Sequence, residues 1–331
     1  MSNGISPYEQ LVMATQDVYA NNWPTYAQGG TPYELTDHKP APYEEQVARF
    51  AQMVREADHI VVGGASGLSA AGGGDFYYED TPSFREHFGR FAEKYGIHSA
   101  FEGSFRRWDT PEERWGFLAT FLHTTQTAPL RKPYRDLDAI LADKDFFVVT
   151  TNQDTQFTKI YPKEQVAQIQ GDHRYLQCSH ICSDDIWDAL GPAQEMVDAM
   201  GDGTEVPSEL IPRCPHCGAE AFPWVRGYGN FLQGTRYHEE YDNVSDYLAR
   251  VSKGRVLFVE LGVGRMTPMF IQEPFWNLVA GWPSARYVSV NDRTAFLPKG
   301  IEDQGMAIKG DIARVLADVR HVLEHGAGGQ G

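Results

Sequence analysis

The pattern of apolar and polar positions changes period several times along the chain. Residues 43–57 place Val47, Phe50 and Val54 at the spacing of an amphipathic helix. The apolar run HIVVGG follows at once, and its length and β-branched content predict a short buried strand. This part of the sequence therefore predicts a helix that leads into a strand.

Three further apolar runs are rich in β-branched and aromatic residues, as is typical of parallel strands buried on both faces. Two other segments show helical spacing and carry Asp or Asn near their starts. The apolar runs are residues 145–152, 255–264 and 285–291, and the helical segments are residues 241–254 and 310–325. This alternation predicts an α/β fold with a Rossmann-like, doubly wound parallel sheet.

Two stretches interrupt the alternation, one helical and one containing the cysteines, and we expect them to pack together as a smaller domain. The N-terminal region is rich in proline and tyrosine with one short helical pattern, and the glycine-rich C-terminus has no means of burying surface. The predicted boundaries are residues 1–42 for an N-terminal extension, 43–79, 136–171 and 253–325 for the Rossmann-like domain, 80–135 for the helical insertion, 172–252 for the zinc-binding insertion, and 326–331 for a disordered tail.

Composition narrows the class of protein. With 331 residues and 42% hydrophobic content, the chain can bury the core of one large domain or two unequal ones. Twenty-nine Lys and Arg against 45 Asp and Glu give 29 − 45 = −16, so nucleic acid and anionic membranes would be repelled. No targeting pattern occurs, and no apolar run reaches the ~18 residues of a membrane span. We therefore expect a cytoplasmic protein without nucleic-acid or membrane partners.

Four cysteines form two close pairs, CSHIC and CPHC, with a gap long enough for the chain to fold back. Thiolates on two short turns can converge on one Zn²⁺ at about 2.3 Å each, in a closed and therefore structural site. Disulfides are the weaker interpretation in a reducing cytosol, and two buried or free pairs are the other alternative. His180 and His216 lie within the pairs, and we expect both to face solvent. The predicted zinc ligands are Cys178, Cys182, Cys214 and Cys217.

The loop after the first predicted strand reads GGASGLSAAGGGDF. In a doubly wound sheet, ligands bind at the carboxyl ends of the strands. Gly63, Gly67 and Ser69 would let a pyrophosphate approach the backbone at a helix N-terminus, although a glycine-rich turn without a ligand is the alternative. The GxGxxG fingerprint does not occur in this loop, which argues against a dehydrogenase.

Polar residues or glycines also end the other predicted strands. Asn152 and Asp154 follow one strand, GVG (262–264) ends another, and Asn291 ends a third. Any one of these alone is ordinary loop chemistry. Four such strand ends in one sheet, beside a predicted zinc-binding insertion, indicate a ligand cleft.

The order of these motifs resembles the sirtuins, NAD-dependent enzymes with a Rossmann-like domain and a small zinc domain. The motifs are GASGLSAAG, TTNQD, QGD, CSHIC, CPHC, GVG and VND, and the resemblance spans residues 45–325. Three departures stand out. The sirtuin Gly-Ala-Gly loop appears as Ala-Ser-Gly (65–67), the Pro-Asp-Phe-Arg segment as Asp-Phe-Tyr-Tyr (75–78), and the histidine of the His-Gly pair as Gln170.

The stretches LGVGRMTPMFIQEPFW and LQCSHIC are most similar to the macrodomain-linked, class M sirtuins. Members of that group carry glutamine at this place and are ADP-ribosyltransferases rather than deacylases. The sirtuin histidine takes a proton from a ribose hydroxyl during deacylation, whereas an amide has no pKa near neutrality and cannot be a general base. The alternative role for Gln170 is a strand-end amide that caps a turn.

Transfer of ADP-ribose to an external acceptor needs a strained, desolvated NAD, donors that hold the ribose, and an acceptor at attack distance. Asn152 and Gln170 suit the holding role, and Asp154 would stabilise positive charge on the ribose. The resemblance implies NAD contacts at Gly63, Ala65, Gly67, Ser69, Asn152, Gly262, Val263, Gly264, Asn291, Asp311 and Ile312.

Three hypotheses for function remain open at this point. The first is an NAD-dependent protein mono-ADP-ribosyltransferase, the second an NAD hydrolase or weak deacylase, and the third a non-catalytic module that binds NAD or ADP-ribose. The resemblance implies a protein acceptor, with a lipoyl carrier (GcvH-like) protein and a macrodomain hydrolase as candidate partners. No residue of this sequence identifies the acceptor.

Overall fold

The structure is a computed structural model that describes residues 4–37 and 39–326, and most of the predicted disordered tail lies outside these ranges. The helices are α1 Pro7–Asn21, α2 Trp23–Ala27, α3 Tyr43–Glu56, α4 Ser66–Ser69, α5 Pro82–Tyr95, α6 Ala100–Phe105, α7 Pro111–Thr127, α8 Lys132–Leu141, α9 Leu190–Met200, α10 Thr235–Val251, α11 Gln272–Gly281 and α12 Ile312–His325. The strands are β1 His59–Gly64, β2 Asp145–Thr150, β3 Val166–Gln168, β4 Gly171–Cys178, β5 Ile186–Asp188, β6 Ala221–Val225, β7 Val256–Leu261, β8 Arg286–Asn291 and β9 Gly305–Lys309.

Six strands form one parallel sheet in the order β3-β2-β1-β7-β8-β9. The four apolar runs that predicted strands are β1, β2, β7 and β8, and they occupy the centre of the sheet. Central parallel strands are covered on both faces, which explains their near-continuous apolar sequences. The edge strand β9 was not predicted, because a five-residue strand with a glycine and a lysine at its ends has no distinctive pattern. The predicted fold class, a doubly wound α/β sheet with a smaller inserted domain, is confirmed.

Successive residues of the central strands face opposite sides of the sheet. On one face Val61 and Phe258 pack in a core with α10 and α11. On the other face Val62 and Val259 pack in a second core with α3, α8 and α12. The strand ends, and the loops that follow them, are therefore held from both sides.

The helical insertion and the cysteine-containing insertion share a third apolar core, in which Phe88 and Phe117 pack with Leu176 and Met196. A three-stranded antiparallel sheet, β5-β4-β6, lies beside these helices. The predicted zinc-binding insertion, residues 172–252, also included α10, yet α10 packs on the large sheet through its apolar stripe. We therefore propose that the small domain ends before residue 235.

The N-terminal extension packs against the segment that follows β7. The hydroxyl of Tyr8 donates to the carbonyl of Phe270 at 2.8 Å, and the hydroxyl of Thr15 donates to the carbonyl of Met269 at 2.7 Å. Both acceptors border the cleft described below. Among the described helices, none has the length and apolar character required to cross a membrane.

Candidate active site

A cleft of about 670 Å³ opens at the carboxyl ends of the central strands. The loops after β1, β2 and β7 and the turn between β3 and β4 form one side, and helices of the small domain form the other. The predicted site residues that line the cleft are Ser69, Asn152, Asp154, Gln170 and Gly264. Predicted residues from four separate segments therefore meet at one place.

Aromatic side chains form the apolar wall of the cleft. Three of them come from residues 76–78, where the sequence departs from the sirtuin pattern, and the rings of Tyr77 and Tyr78 lie 4.7 Å apart. Burial raises the pKa of Tyr77 well above its usual value, so its phenol is neutral. The aromatic residues of this wall are Phe76, Tyr77, Tyr78, Phe101, Phe105 and Phe121. An apolar wall lowers the local dielectric constant and strengthens electrostatic interactions with a bound ligand.

Asp154 is the centre of a hydrogen-bond network at the floor of the cleft. Its Oδ2 accepts hydrogen bonds from the hydroxyl of Ser69 at 2.5 Å and from the hydroxyl of Tyr134 at 2.6 Å. Its Oδ1 accepts from the backbone N–H of Gln156 at 3.1 Å. The guanidinium of Arg131 lies 4.0 Å from Oδ2. The carboxylate thus fixes the positions of groups from the loops after β1 and β2.

Tyr134 connects this carboxylate to Asn152. The side-chain amide of Asn152 donates to the Tyr134 hydroxyl at 3.1 Å, and that hydroxyl donates to Asp154. Burial, reinforced by the neighbouring carboxylate, raises the pKa of Tyr134 well above its usual value, so the phenol keeps its proton. Sequence reasoning missed Tyr134, because a single buried tyrosine in α8 gives no signal for a role in a cleft.

Gln170 lies in the tight turn between β3 and β4. Gly171 makes this turn possible: its φ is +86°, and a Cβ there would lie 2.1 Å from the carbonyl oxygen of Trp224. The backbone N–H of Arg226 donates to the carbonyl of Gln170 at 3.0 Å. The buried Nε2 of Gln170 finds no acceptor in residues 4–37 and 39–326. An amide in a residue that lines a cleft can orient a bound hydroxyl, but it cannot take a proton from it.

His173 does not replace the missing base. It lies three residues after Gln170, is buried and does not line the cleft. Its Nδ1 is 3.2 Å from the carbonyl oxygen of Gln153, and its ring packs edge-on against Phe121. Burial lowers the pKa of His173 to about 4, so the imidazole is neutral at physiological pH.

Three arginines line the cleft and were missed by sequence reasoning. Arg131 NH1, Arg226 Nε, and both Nε and NH1 of Arg265 are buried donors without hydrogen-bond partners in the described part of the chain. Arg265 follows GVG directly, and its NH2 donates to the side chain of Gln272. Burial lowers the pKa of Arg265, but a guanidinium stays charged in proteins. These unused donors provide positive charge in a chain that is strongly acidic overall.

Gly67 and Gly262 bring the loops after β1 and β7 into backbone contact. The N–H of Gly67 donates to the carbonyl of Gly262 at 3.0 Å, and a Cβ on Gly67 would lie 2.7 Å from the Gly262 Cα. Gly262 also has a φ of +73°, a conformation that favours glycine. Gly264, in contrast, has open space where a Cβ would be. Contact between the loops therefore accounts for the first two glycines, whereas Gly264 borders the cleft and has no such packing requirement.

The remaining predicted NAD contacts do not line the cleft and have structural contacts of their own. A Cβ on Gly63 would lie 2.2 Å from the side chain of Ile271, so this glycine is required by packing. Asn291 donates to the carbonyl of Val263 at 3.0 Å, and Asp311 accepts from the N–H of Arg314 at the start of α12. Three further predicted contacts are buried and do not line the cleft: Ala65, Val263 and Ile312.

The four cysteine thiols converge as the spacing predicted, with all four sulfur atoms within 4.8 Å of one another. The Cys178 and Cys217 sulfurs are 3.5 Å apart, and those of Cys182 and Cys214 are 3.4 Å apart. Sulfurs on a tetrahedral zinc ion would be roughly 3.8 Å apart, given Zn–S bonds of about 2.3 Å. The side chain of His216 is half exposed and contacts Asp185 instead, as expected for a residue that is not a ligand.

Comparison with known proteins places these features in context. A protein ADP-ribosyltransferase from Staphylococcus aureus is 28% identical over 276 residues, which are 82% of this chain and 86% of that protein. A probable bifunctional ADP-ribose hydrolase/ADP-ribosyltransferase from Fusarium oxysporum is 31% identical over 282 residues, which are 80% of this chain but only 46% of that protein. No family model matches the chain.

Among solved structures, one that concerns the structural basis of sirtuin substrate affinity superimposes with a TM-score of 0.54. The match covers 84% of this chain and 98% of that one, at 18% sequence identity. The chain has the sirtuin fold. The motif-based recognition of this fold from the sequence is therefore confirmed, together with the four-cysteine cluster.

Within the sirtuin fold, the departures seen in the sequence map to the cleft itself. Gln170 faces the cleft from the β3–β4 turn, and residues 76–78 supply aromatic rings to its wall. The altered residues at positions 76–78 and 170 thus line the cleft, while the fold that carries them is that of the sirtuins.

Proposed function

We propose that this protein is an NAD-dependent protein mono-ADP-ribosyltransferase, which breaks the nicotinamide–ribose bond and transfers ADP-ribose to a protein side chain. The observation that carries the proposal is Gln170, whose unpaired amide lines the cleft where a deacylase of this fold would need a base. The names of the two relatives support the same reaction, and we further propose that the chain belongs with the macrodomain-linked class M sirtuins.

The cleft has the donors and the space that NAD requires. Unpaired N–H groups of Arg131, Arg226 and Arg265 suit an anionic diphosphate, and the open position at Gly264 allows close approach to the backbone. When bound, NAD would supply an electrophilic ribose carbon as its nicotinamide leaves. The apolar wall would exclude water, which favours a protein nucleophile over hydrolysis.

The predicted catalytic residues have distinct proposed roles. Asn152 is held by Tyr134, so its amide is positioned to bind a ribose hydroxyl. Gln170 would orient the ribose or the acceptor with its free N–H groups. Asp154 has both oxygens occupied by hydrogen bonds, so we propose that it positions Ser69 and Tyr134 and stabilises positive charge on the ribose through its field rather than by contact.

We also propose that the four-cysteine cluster holds a structural Zn²⁺. Four sulfur donors fill a tetrahedral coordination shell and leave no open position for catalysis. The cluster lies at the end of β4 and near β6, and the metal would join these two parts of the small domain.

The partners are proposed from the reaction and from the resemblance. A transferase needs a protein acceptor, and the bifunctional name of one relative is compatible with a macrodomain hydrolase that reverses the modification. A lipoyl carrier (GcvH-like) protein as acceptor stays a prediction from the resemblance alone. The cytoplasmic location expected from the sequence stays a proposal.

Incubation with NAD labelled in its adenylate part, in the presence of a cell extract, tests the proposal. Label fixed covalently on a protein supports the transferase. Soluble ADP-ribose as the main product would support the hydrolase instead, and bound, intact NAD would support the binding module.

A further inference from the structure

A second cavity, of about 390 Å³, lies outside the cleft. It is bordered by β3, by the start of β4, by the first turn of α10 and by residues 158–163. None of its lining residues also lines the cleft. The proposed function makes no use of this cavity.

The cavity is lined by positive charge. Lys163, Arg174 and Arg236 border it, and Lys163 has no carboxylate partner in the described ranges. Arg174 donates two hydrogen bonds to Asp172, and Arg236 lies 2.6 Å from a carboxylate oxygen of Glu240. Asp172 and Glu240 are almost fully buried, while Glu239 is half exposed and lies 3.7 Å from Arg236. None of these three carboxylates lines the cavity, whereas both arginine side chains are partly exposed. A ligand in the cavity therefore meets the cations first.

Two buried polar atoms at the cavity have no partner. Gln168 is 3% exposed and lines the cavity, and its side-chain oxygen receives no hydrogen bond from any described residue. The Nε of Arg236 is likewise an unused donor. An O–H or N–H donor would satisfy the buried carbonyl of Gln168, and an acceptor would satisfy the Nε of Arg236, whose other guanidinium nitrogens face Glu239 and Glu240. A ligand that carries both an anionic group and a hydroxyl group would satisfy both atoms.

We propose that this cavity binds a small hydroxylated oxyanion of the sugar-phosphate class. The phosphate would contact Lys163, Arg174 and Arg236, and a sugar hydroxyl would donate to Gln168. The volume is about 13 times the roughly 30 Å³ that one water molecule occupies in the liquid, which is enough for a five-carbon sugar phosphate. This site is separate from the proposed NAD cleft and does not depend on it.

Calorimetry on the full, metal-loaded chain at constant ionic strength tests this proposal with ribose 5-phosphate, inorganic phosphate and ribose as probes. We expect ribose 5-phosphate to bind more tightly than phosphate, and ribose not to bind. Lys163→Glu should weaken ribose 5-phosphate binding at least tenfold, because it reverses a charge that lines the cavity. Lys253→Glu, at an exposed lysine elsewhere, should leave it unchanged.

Two further variants test the hydroxyl contact and the independence of this cavity from the NAD cleft. Gln168→Leu should remove the preference for ribose 5-phosphate over phosphate, since it removes the acceptor for the hydroxyl. Gly264→Val, which narrows the NAD cleft, should leave ribose 5-phosphate binding unchanged. The proposal is overturned if ribose 5-phosphate fails to bind, if phosphate binds equally well, if Lys163→Glu has no effect, or if Gly264→Val abolishes binding.

Discussion

The hydroxyl of Tyr134 donates a 2.6 Å hydrogen bond to the carboxylate of Asp154. The same hydroxyl accepts a hydrogen bond from the side-chain amide of Asn152. Tyr134 therefore positions Asn152, which we propose contacts the substrate. Tyr134→Phe should lower kcat for ADP-ribosyl transfer about 10- to 100-fold, the loss expected from a hydrogen bond to a charged group, with a smaller change in KM.

Tyr43→Phe is the matched control for this change. Tyr43 donates a 2.6 Å hydrogen bond to Asp318, which is the same chemistry at a position that does not line the cleft. Steady-state kinetics on both variants decides the matter. Equal kcat values for Tyr134→Phe and Tyr43→Phe would show that Tyr134 does not position Asn152.

Gln170→Ala should reduce transfer by a factor on the order of 10²–10³ and leave NAD affinity nearly unchanged, because it removes one active-site hydrogen bond made during the reaction. Gln165→Ala truncates a glutamine outside the cleft and should have no effect. An amide does not titrate near neutrality. Any limb near the usual histidine pKa in the parent's profile of transfer rate against pH should therefore persist in Gln170→Ala. A comparable loss of NAD affinity in Gln170→Ala would place this residue in ground-state binding instead.

Gly264→Val should weaken NAD binding at least tenfold, because the added side chain enters space that is open in the cleft. Gly300→Val is the matched control, since Gly300 also has no neighbour within 4 Å of its Cβ position but lies away from the cleft. Titration calorimetry measures both. If both variants bind NAD as tightly as the parent, the proposed diphosphate position is wrong.

One equivalent of zinc should copurify with the protein, and Cys214→Ser should lower the free energy of unfolding by several kcal/mol because the metal site stabilises only the folded chain. His216→Ala should retain the metal, since this histidine contacts Asp185 rather than the cluster. Metal analysis and denaturant unfolding check both statements. A folded, fully reduced protein without zinc would refute the structural role.

His173 should make stability depend on pH in acid. Its pKa is lowered by burial from the usual 6.5 to about 4, so the unfolded chain binds a proton between these values while the folded chain does not. The stabilising contribution is complete above pH 6.5 and is lost as pH falls towards 4, which amounts to about 3 kcal/mol.

His173→Gln removes this dependence, and the comparison with the parent cancels groups that both proteins share. We expect the difference in unfolding free energy between parent and variant to shrink as pH falls from 6.5 to 4. Denaturant unfolding at several pH values measures it. Two curves that stay parallel would show that the pKa of His173 is not lowered in the folded protein.

The sequence was sufficient to predict the strands at the centre of the sheet, because buried strands such as β1 and β7 have continuous apolar patterns. The sequence also predicted the cysteine cluster, since two pairs of closely spaced cysteines indicate two short turns whose thiolates can bind one metal ion. The aromatic wall and the arginines could not be predicted, because side chains such as Phe105, Arg131 and Arg226 come from segments that are distant in the sequence and meet at the cleft only in the folded chain. The sequence likewise could not distinguish Gly63, required by packing against Ile271, from a glycine that admits a ligand.

The most direct test of the central claim uses the unmodified protein with labelled NAD, in parallel with a cell extract as a source of acceptors and with an acetyl-lysine peptide. We expect label bound covalently to a protein and an acetyl-lysine peptide that is scarcely consumed. Efficient NAD-dependent deacetylation of the peptide would contradict it, because Gln170 would then not stand in the place of the general base.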